Sequence, residues 1–159
     1  MNLYHDETFK LIIAGTRLFP DYFNHEETAY ELVRDKTDDL LVEKLGTHNI
    51  EFVSGCASGA DRLGERYAEE LQETIHPAEK SKITLKQFPA DWNKHGKSAG
   101  YKRNQEMGNY ADALLAYWDG ASRGTMHMIN IMRQLNKPVR VCYYTAVCNT
   151  LYPPNLEGV

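Results

Sequence analysis

The chain has 159 residues, of which 42% are hydrophobic and 25% charged, and its net charge is −4. That length and balance predict one globular domain with a sizeable core, and the acidic surplus argues against a general nucleic-acid binder, whose surface is ordinarily basic. Residues 1–10 are polar and hold Asp6 and Glu7, unlike a secretory signal, and the longest nearly apolar run, 113–118, is too short to span a bilayer. A cytoplasmic protein with no membrane contact is expected.

Taken in chain order, residues 9–14 (FKLIIA) read as a buried strand ended by Gly15. Residues 24–45 read as a helix with Ala29, Leu32, Val33, Lys36 and Leu40 on one face, Lys36 at its margin. A second strand, 51–54, ends at Gly55 and leads into a helix over 60–73 that carries Ala60, Leu63, Gly64, Tyr67, Ala68 and Leu71 at helical spacing. A third strand spans 83–88, followed by a loop with Pro89, Trp92 and Gly96 and a helix over 98–110. A fourth strand, 113–118, is broken by Asp119-Gly120, and a helix over 122–135 leads to a fifth strand, 138–144. The remaining 145–159 contain Pro153-Pro154 and no clear period, and either cover a sheet edge or bridge subunits.

This alternation predicts a three-layer α/β/α sandwich around a mainly parallel five-stranded sheet, one domain with its core over about 9–144. In such sheets ligands bind beyond the carboxyl ends of the strands, so function is sought in the loops that follow them.

Three of these loops can hold an anion. The first, Gly15-Thr16-Arg17, combines a tight strand exit, a hydroxyl and a guanidinium, and it is either a phosphate site or a turn with a solvated arginine. The second, 54–61, is small-residued almost throughout: Ser54, Gly55, Ser58 and Gly59 stand before a helix whose free backbone N–H groups and dipole favour anions. Asp61 there either caps the helix or binds a ribose hydroxyl. The third loop holds Asp119, Gly120, Ser122, Gly124 and Thr125 and repeats the same device.

A fourth stretch, from Trp92 to Met107, interleaves Trp92 and Tyr101 with Lys94, His95, Lys97, Lys102 and Arg103. It reads either as base stacking beside phosphate-holding cations or as a solvated basic loop with core-anchoring aromatics. The six histidines (His5, His25, His48, His76, His95 and His127) lack ligand spacing, so no metal and no cofactor are expected. Cys56, Cys142 and Cys148 form no paired framework and read as reduced thiols, Cys56 in a loop where a thiol can react. Walker A, nucleophile-elbow and Gly-x-Gly-x-x-Gly sequences are absent.

Four segments together resemble the SLOG superfamily, named for the Smf/DprA DNA-processing proteins and the LOG phosphoribohydrolases, and within it the YspA/YpsA-related branch of bacteria and phages. They are AGTRLF at 14–19, SGCASGADRLGERYA at 54–68, FPADWNKHGKSAGYKRNQEM at 88–107 and ADALLAYWDGASRGTMHMI at 111–129. The resemblance implies a Rossmann-like fold, a pocket for nucleotides or ADP-ribose-type ligands, and self-association into homo-oligomers. LOG enzymes cleave the N-glycosidic bond of nucleoside monophosphates. Their motif arginine corresponds to Arg103, with Met107 at the matching distance, and the end of their glycine-rich loop corresponds to 122–125. Where those enzymes carry two glutamates, this chain has His127 and Met128. Ribosyl-bond cleavage builds positive charge on the sugar and needs a carboxylate, which neither residue supplies.

The expected function is therefore binding of a phosphorylated nucleotide or ADP-ribose-like ligand. The residues assigned to it are Gly15, Thr16, Arg17, Ser54, Gly55, Ser58, Gly59, Asp61, Trp92, Arg103, Asp119, Gly120, Ser122, Gly124 and Thr125. The alternative is a nucleotide N-glycosidase or ribosyltransferase with Arg103, Asp119 or Asp61 (or Glu106) in the chemistry. A single-stranded DNA-binding module is the third reading, disfavoured by the net charge.

Overall fold

β1 (Thr8–Gly15) is buried from Leu11 to Ala14, and β4 (Ala113–Trp118) is buried throughout. Such uninterrupted apolar runs are what a parallel strand covered on both faces requires. The computed structural model describes residues 4–145. It places β1 and β4 side by side at the centre of a five-stranded, wholly parallel sheet ordered β3-β2-β1-β4-β5. The other strands are β2 (Asn49–Ser54), β3 (Ile83–Gln87) and β5 (Val139–Tyr143). β3, at one edge, is buried only at Ile83 and ends on exposed Lys86 and Gln87.

Alternate side chains of each strand enter different layers. Leu11, Ile13, Phe52, Leu115 and Tyr117 pack with Val33 of α2 (Glu26–Leu41) and Tyr67 of α3 (Ala60–Thr74), and Phe19 of the short α1 (Phe19–Tyr22) joins them. Ile12, Val53, Leu114 and Ala116 pack with Met107 of α5 (Ala99–Tyr110) and Met128 and Met132 of α6 (Arg123–Gln134). The result is the Rossmann-like α/β/α sandwich that the sequence predicts. No helix among the described residues is long and apolar enough to cross a membrane.

The differences are local and have physical causes. The helix read over 24–45 is shorter, because the His25 ring caps it by accepting from Glu27 N (3.2 Å) and it ends at Leu41. Its buried face is Ala29, Tyr30, Val33, Thr37 and Leu41, and Leu32, Lys36 and Leu40 lie on the flank. Thr37 can occupy the core because its hydroxyl donates to the Val33 carbonyl one turn back (2.6 Å). The loop read around Trp92 contains a single helical turn, α4 (Trp92–His95), capped by Asp91 Oδ1, which accepts from Lys94 N (3.0 Å). Cys148 and the segment beyond residue 145 lie outside the described residues.

β1 lies beside β4, and the chain leaves the carboxyl end of β1 toward the layer of α2 and α3 and that of β4 toward the layer of α5 and α6. The crevice between the two strand ends is the topological switch point, where open α/β sheets bind ligands.

Candidate functional site

The loop after β1 is pinned at both ends. A Cβ on Gly15 would overlap the Tyr117 carbonyl oxygen, so only glycine lets β1 exit beside β4. Thr16 is buried, its N–H donates to Tyr117 O (2.9 Å), and its hydroxyl receives Asp119 N (3.4 Å). Phe19 is fully buried against Tyr117. Between these anchors Arg17 and Leu18 are held outward, Leu18 with 66% of its surface exposed.

The β2–α3 loop packs directly on the first. Gly59, at φ 83°, has no room for a Cβ against the Arg17 carbonyl oxygen. Ser54 braces the loop from below: its hydroxyl donates to Glu65 Oε1 (2.7 Å) and accepts from Cys56 N (3.1 Å). Burial pushes the Glu65 carboxyl up, but hydrogen bonds from Ser54, Arg62 and Gln87 outweigh it and hold Glu65 below its ordinary value. Asp61, in the first turn of α3, is only 5% exposed, and its Oδ2 accepts from Ala57 N (3.3 Å). Burial raises its pKa to about 6, against the pull of the Arg103 guanidinium.

Arg103 reaches in from α5. Its Nε–H donates to Asn104 Oδ1 (3.0 Å) and its Nη1 donates to the Gly55 carbonyl. Burial lowers its pKa. Because arginine only donates, Asn104 must turn its oxygen to Arg103 and its amide nitrogen to α6. There Nδ2 donates to Gly124 O (3.2 Å) and sits 3.3 Å from His127 Nδ1. His127 Nδ1 is therefore an acceptor and the ring proton is on Nε2. Burial lowers the His127 pKa, and the ring meets Tyr101 edge-on at 4.5 Å.

The β4–α6 loop closes on itself. Asp119 Oδ1 accepts from Ala121 N (2.9 Å) and Ser122 N (2.7 Å), and Gly120 turns the chain at φ 83°. The Ser122 hydroxyl caps α6 by accepting from Thr125 N (3.5 Å), and Trp118 Nε1 donates to Ser122 O (3.0 Å).

These elements enclose a cleft of about 460 Å³ at the switch point. Of the residues assigned from sequence, Gly15, Thr16, Arg17, Asp61, Trp92, Arg103, Ser122, Gly124 and Thr125 line it. Ser54, Gly55, Gly59, Asp119 and Gly120 stand behind it as scaffold, and Ser58 is exposed outside it. Lys97 and Tyr101, which the sequence left between two readings, also line it, as do Leu18, Ala57, Gly100, Asn104, Met107 and Met128. Gly100, Arg103, Asn104 and Met107 recur at i, i+3, i+4 and i+7, one stripe of α5, and that period was the signal for Asn104. Among the described residues no group of three or more His, Cys, Asp or Glu side chains could hold a metal ion.

The cleft can do three things at once. Arg17, Lys97 and Arg103 bring positive charge, and the first turns of α3 and α6 open onto it. Trp92 and Tyr101, 51% and 46% exposed, offer ring surface at the rim. Met107 and Met128 line it with adaptable apolar surface.

No family model matches the chain. Against curated proteins it is 31% identical over 133 residues to the Gene 61 protein of Mycobacterium phage D29, an alignment that covers 82% of this chain and 93% of that protein. Identity at that level over most of this chain and nearly all of that protein means that the chain belongs to the family of the phage D29 Gene 61 protein.

Proposed function

We propose that the switch-point cleft binds a phosphorylated nucleotide or a nucleotide-derived, ADP-ribose-like ligand. The observation that carries this reading is the convergence of Arg17, Lys97 and Arg103 with the exposed rings of Trp92 and Tyr101 on one cleft. Cations suit phosphate and rings suit a base, and a volume of about 460 Å³ is within the usual range for small-molecule sites. The resemblance to the SLOG superfamily supports the same ligand class. The test is a thermal-shift panel of nucleoside mono- and diphosphates and ADP-ribose. At least one raises the melting temperature of the wild-type protein and leaves Arg103→Ala unmoved. A flat response across the panel contradicts the reading.

One observation favours turnover: Asp61 is a buried carboxylate at the cleft floor near Arg103, with a pKa of about 6, suited to proton transfer. Glycosidic cleavage ordinarily uses two carboxylates, and among the described lining residues Asp61 is the sole one. Binding without cleavage is the better reading. Release of free base from a nucleoside monophosphate, abolished by Asp61→Asn, would reverse that order.

A further inference from the structure

We infer that Asp61 selects the ligand by its sugar, accepting a hydroxyl of a ribosyl phosphate whose anionic end rests on Arg103. This rests on the nucleotide reading above and names the part of the ligand that the floor of the cleft recognises.

Asp61 and Arg103 come from different helices and meet on either side of Gly55. A Cβ added at Gly55 would lie 2.7 Å from Arg103 Nη1 and 2.9 Å from Asp61 Oδ2, so the missing side chain is what lets both groups share the floor. They form no ion pair. Arg103 Nη1 donates to the Gly55 carbonyl and Nε to Asn104, while Asp61 Oδ2 accepts a long bond from Ala57 N (3.3 Å) and the Gly15 N–H also faces the carboxylate. Arg103 Nη2 lies beside Gly100 on the cleft wall.

A carboxylate offers about four acceptor sites, so the backbone leaves Asp61 with unused capacity although it is only 5% exposed. A ligand that fills the floor displaces water from those sites, and it must return a donor or leave a desolvated charge unpaired. The fully ionised oxygens of a nucleotide phosphate carry no proton to donate and would repel Asp61. The hydroxyls of the sugar next to the phosphate can donate, and Arg103, Arg17 and Lys97 take the anion. The floor therefore demands hydroxyl and anion together.

The experiment is calorimetric titration of the wild-type protein with AMP, ADP and ADP-ribose, the first two also in 2′-deoxy and 3′-deoxy forms, with inorganic sulfate, an anion with no proton to donate at neutral pH, as the sugar-free probe. Loss of one hydroxyl weakens binding about tenfold or more, as expected for a charge-assisted hydrogen bond, and inorganic sulfate binds more weakly still. Asp61→Asn brings the ribo and deoxy forms to within about threefold of each other, a ratio that a merely structural defect would not equalise. Wild-type protein that binds both deoxy forms as tightly as the parent nucleotide overturns the inference and leaves the nucleotide reading standing, as does discrimination that survives in Asp61→Asn. Binding of none of these probes overturns both.

Discussion

The β2–α3 and β4–α6 loops look alike as sequence: each follows a buried strand, carries glycine, serine and one aspartate, and opens a helix. They use the aspartate in opposite ways. Asp119 stands three residues before the cap of α6 and spends Oδ1 on the N–H groups of Ala121 and Ser122, so it shapes its own turn and stays out of the cleft. Asp61 stands inside the first turn of α3, is buried, and faces the cleft with only the backbone N–H groups of Ala57 (3.3 Å) and Gly15 turned to its carboxylate. A few residues of shift relative to the helix start separate a turn-former from a floor carboxylate. Composition does not reveal which is which; position relative to the cap does.

The contrast can be broken first at the glycines. Gly59→Ala meets both a positive φ and the Arg17 carbonyl, and a loss of about 3 kcal/mol in urea denaturation is expected. Gly120→Ala meets the positive φ and should lose only about 1 kcal/mol. Equal losses would mean that the two loops are not packed differently.

The aspartates themselves give the next effect. The folded pKa of Asp61 is raised from 3.8 to about 6, so the neutral form is favoured on folding. The associated stability is fully present below pH 3.8 and is lost as pH rises through about 6. Asp61→Asn should therefore stabilise the ligand-free protein at pH 8 by ~2–3 kcal/mol, with the gain fading toward pH 4. Asp119→Ala should instead lose about 1 kcal/mol, because two N–H groups lose their acceptor. Destabilisation by both substitutions at pH 8 would remove the distinction drawn between them.

The same shift sets a pH dependence of binding. The groups facing Asp61 are Arg103 from α5, Glu65 one turn along α3, and the backbone N–H groups of Ala57 and Gly15. A hydroxyl donated by the ligand favours ionised Asp61, so affinity for ADP-ribose, whose diphosphate does not titrate in this range, should fall as pH drops below about 6. Titrations at stepped pH should show that fall in wild-type protein and in His127→Gln, and a flat profile in Asp61→Asn. The smallest effect is expected from Asn104→Ala, which releases the Nε brace of Arg103 but keeps its bond to Gly55 and should weaken binding about tenfold or less.

Much of this molecule is legible in its sequence. The span 113–118 is β4 without adjustment, because a six-residue apolar run cut by Asp119-Gly120 has few other readings. The sheet and its layers follow from repeating that pattern. The face of α2 was less legible, since Thr37 looks polar until its hydroxyl is seen to be satisfied within the helix. A four-residue turn such as α4 leaves no periodic trace, and its start depends on one capping bond from Asp91. The strand-exit loops announced a site through small residues, but which glycines line the cleft and which hold two loops together is a matter of contact. Gly15 borders the cleft, whereas Gly59 is wedged against Arg17.

On the proposed function, Arg103 carries the anionic end of a phosphorylated, nucleotide-like ligand in this cleft. The most direct test is calorimetric titration of wild-type protein and Arg103→Ala with ADP-ribose at pH 7.5 and moderate salt. Saturable one-site binding to the wild type is expected, with a loss of at least about tenfold in the variant. Wild-type and variant proteins that bind equally, or a wild type that does not bind at all, would contradict it.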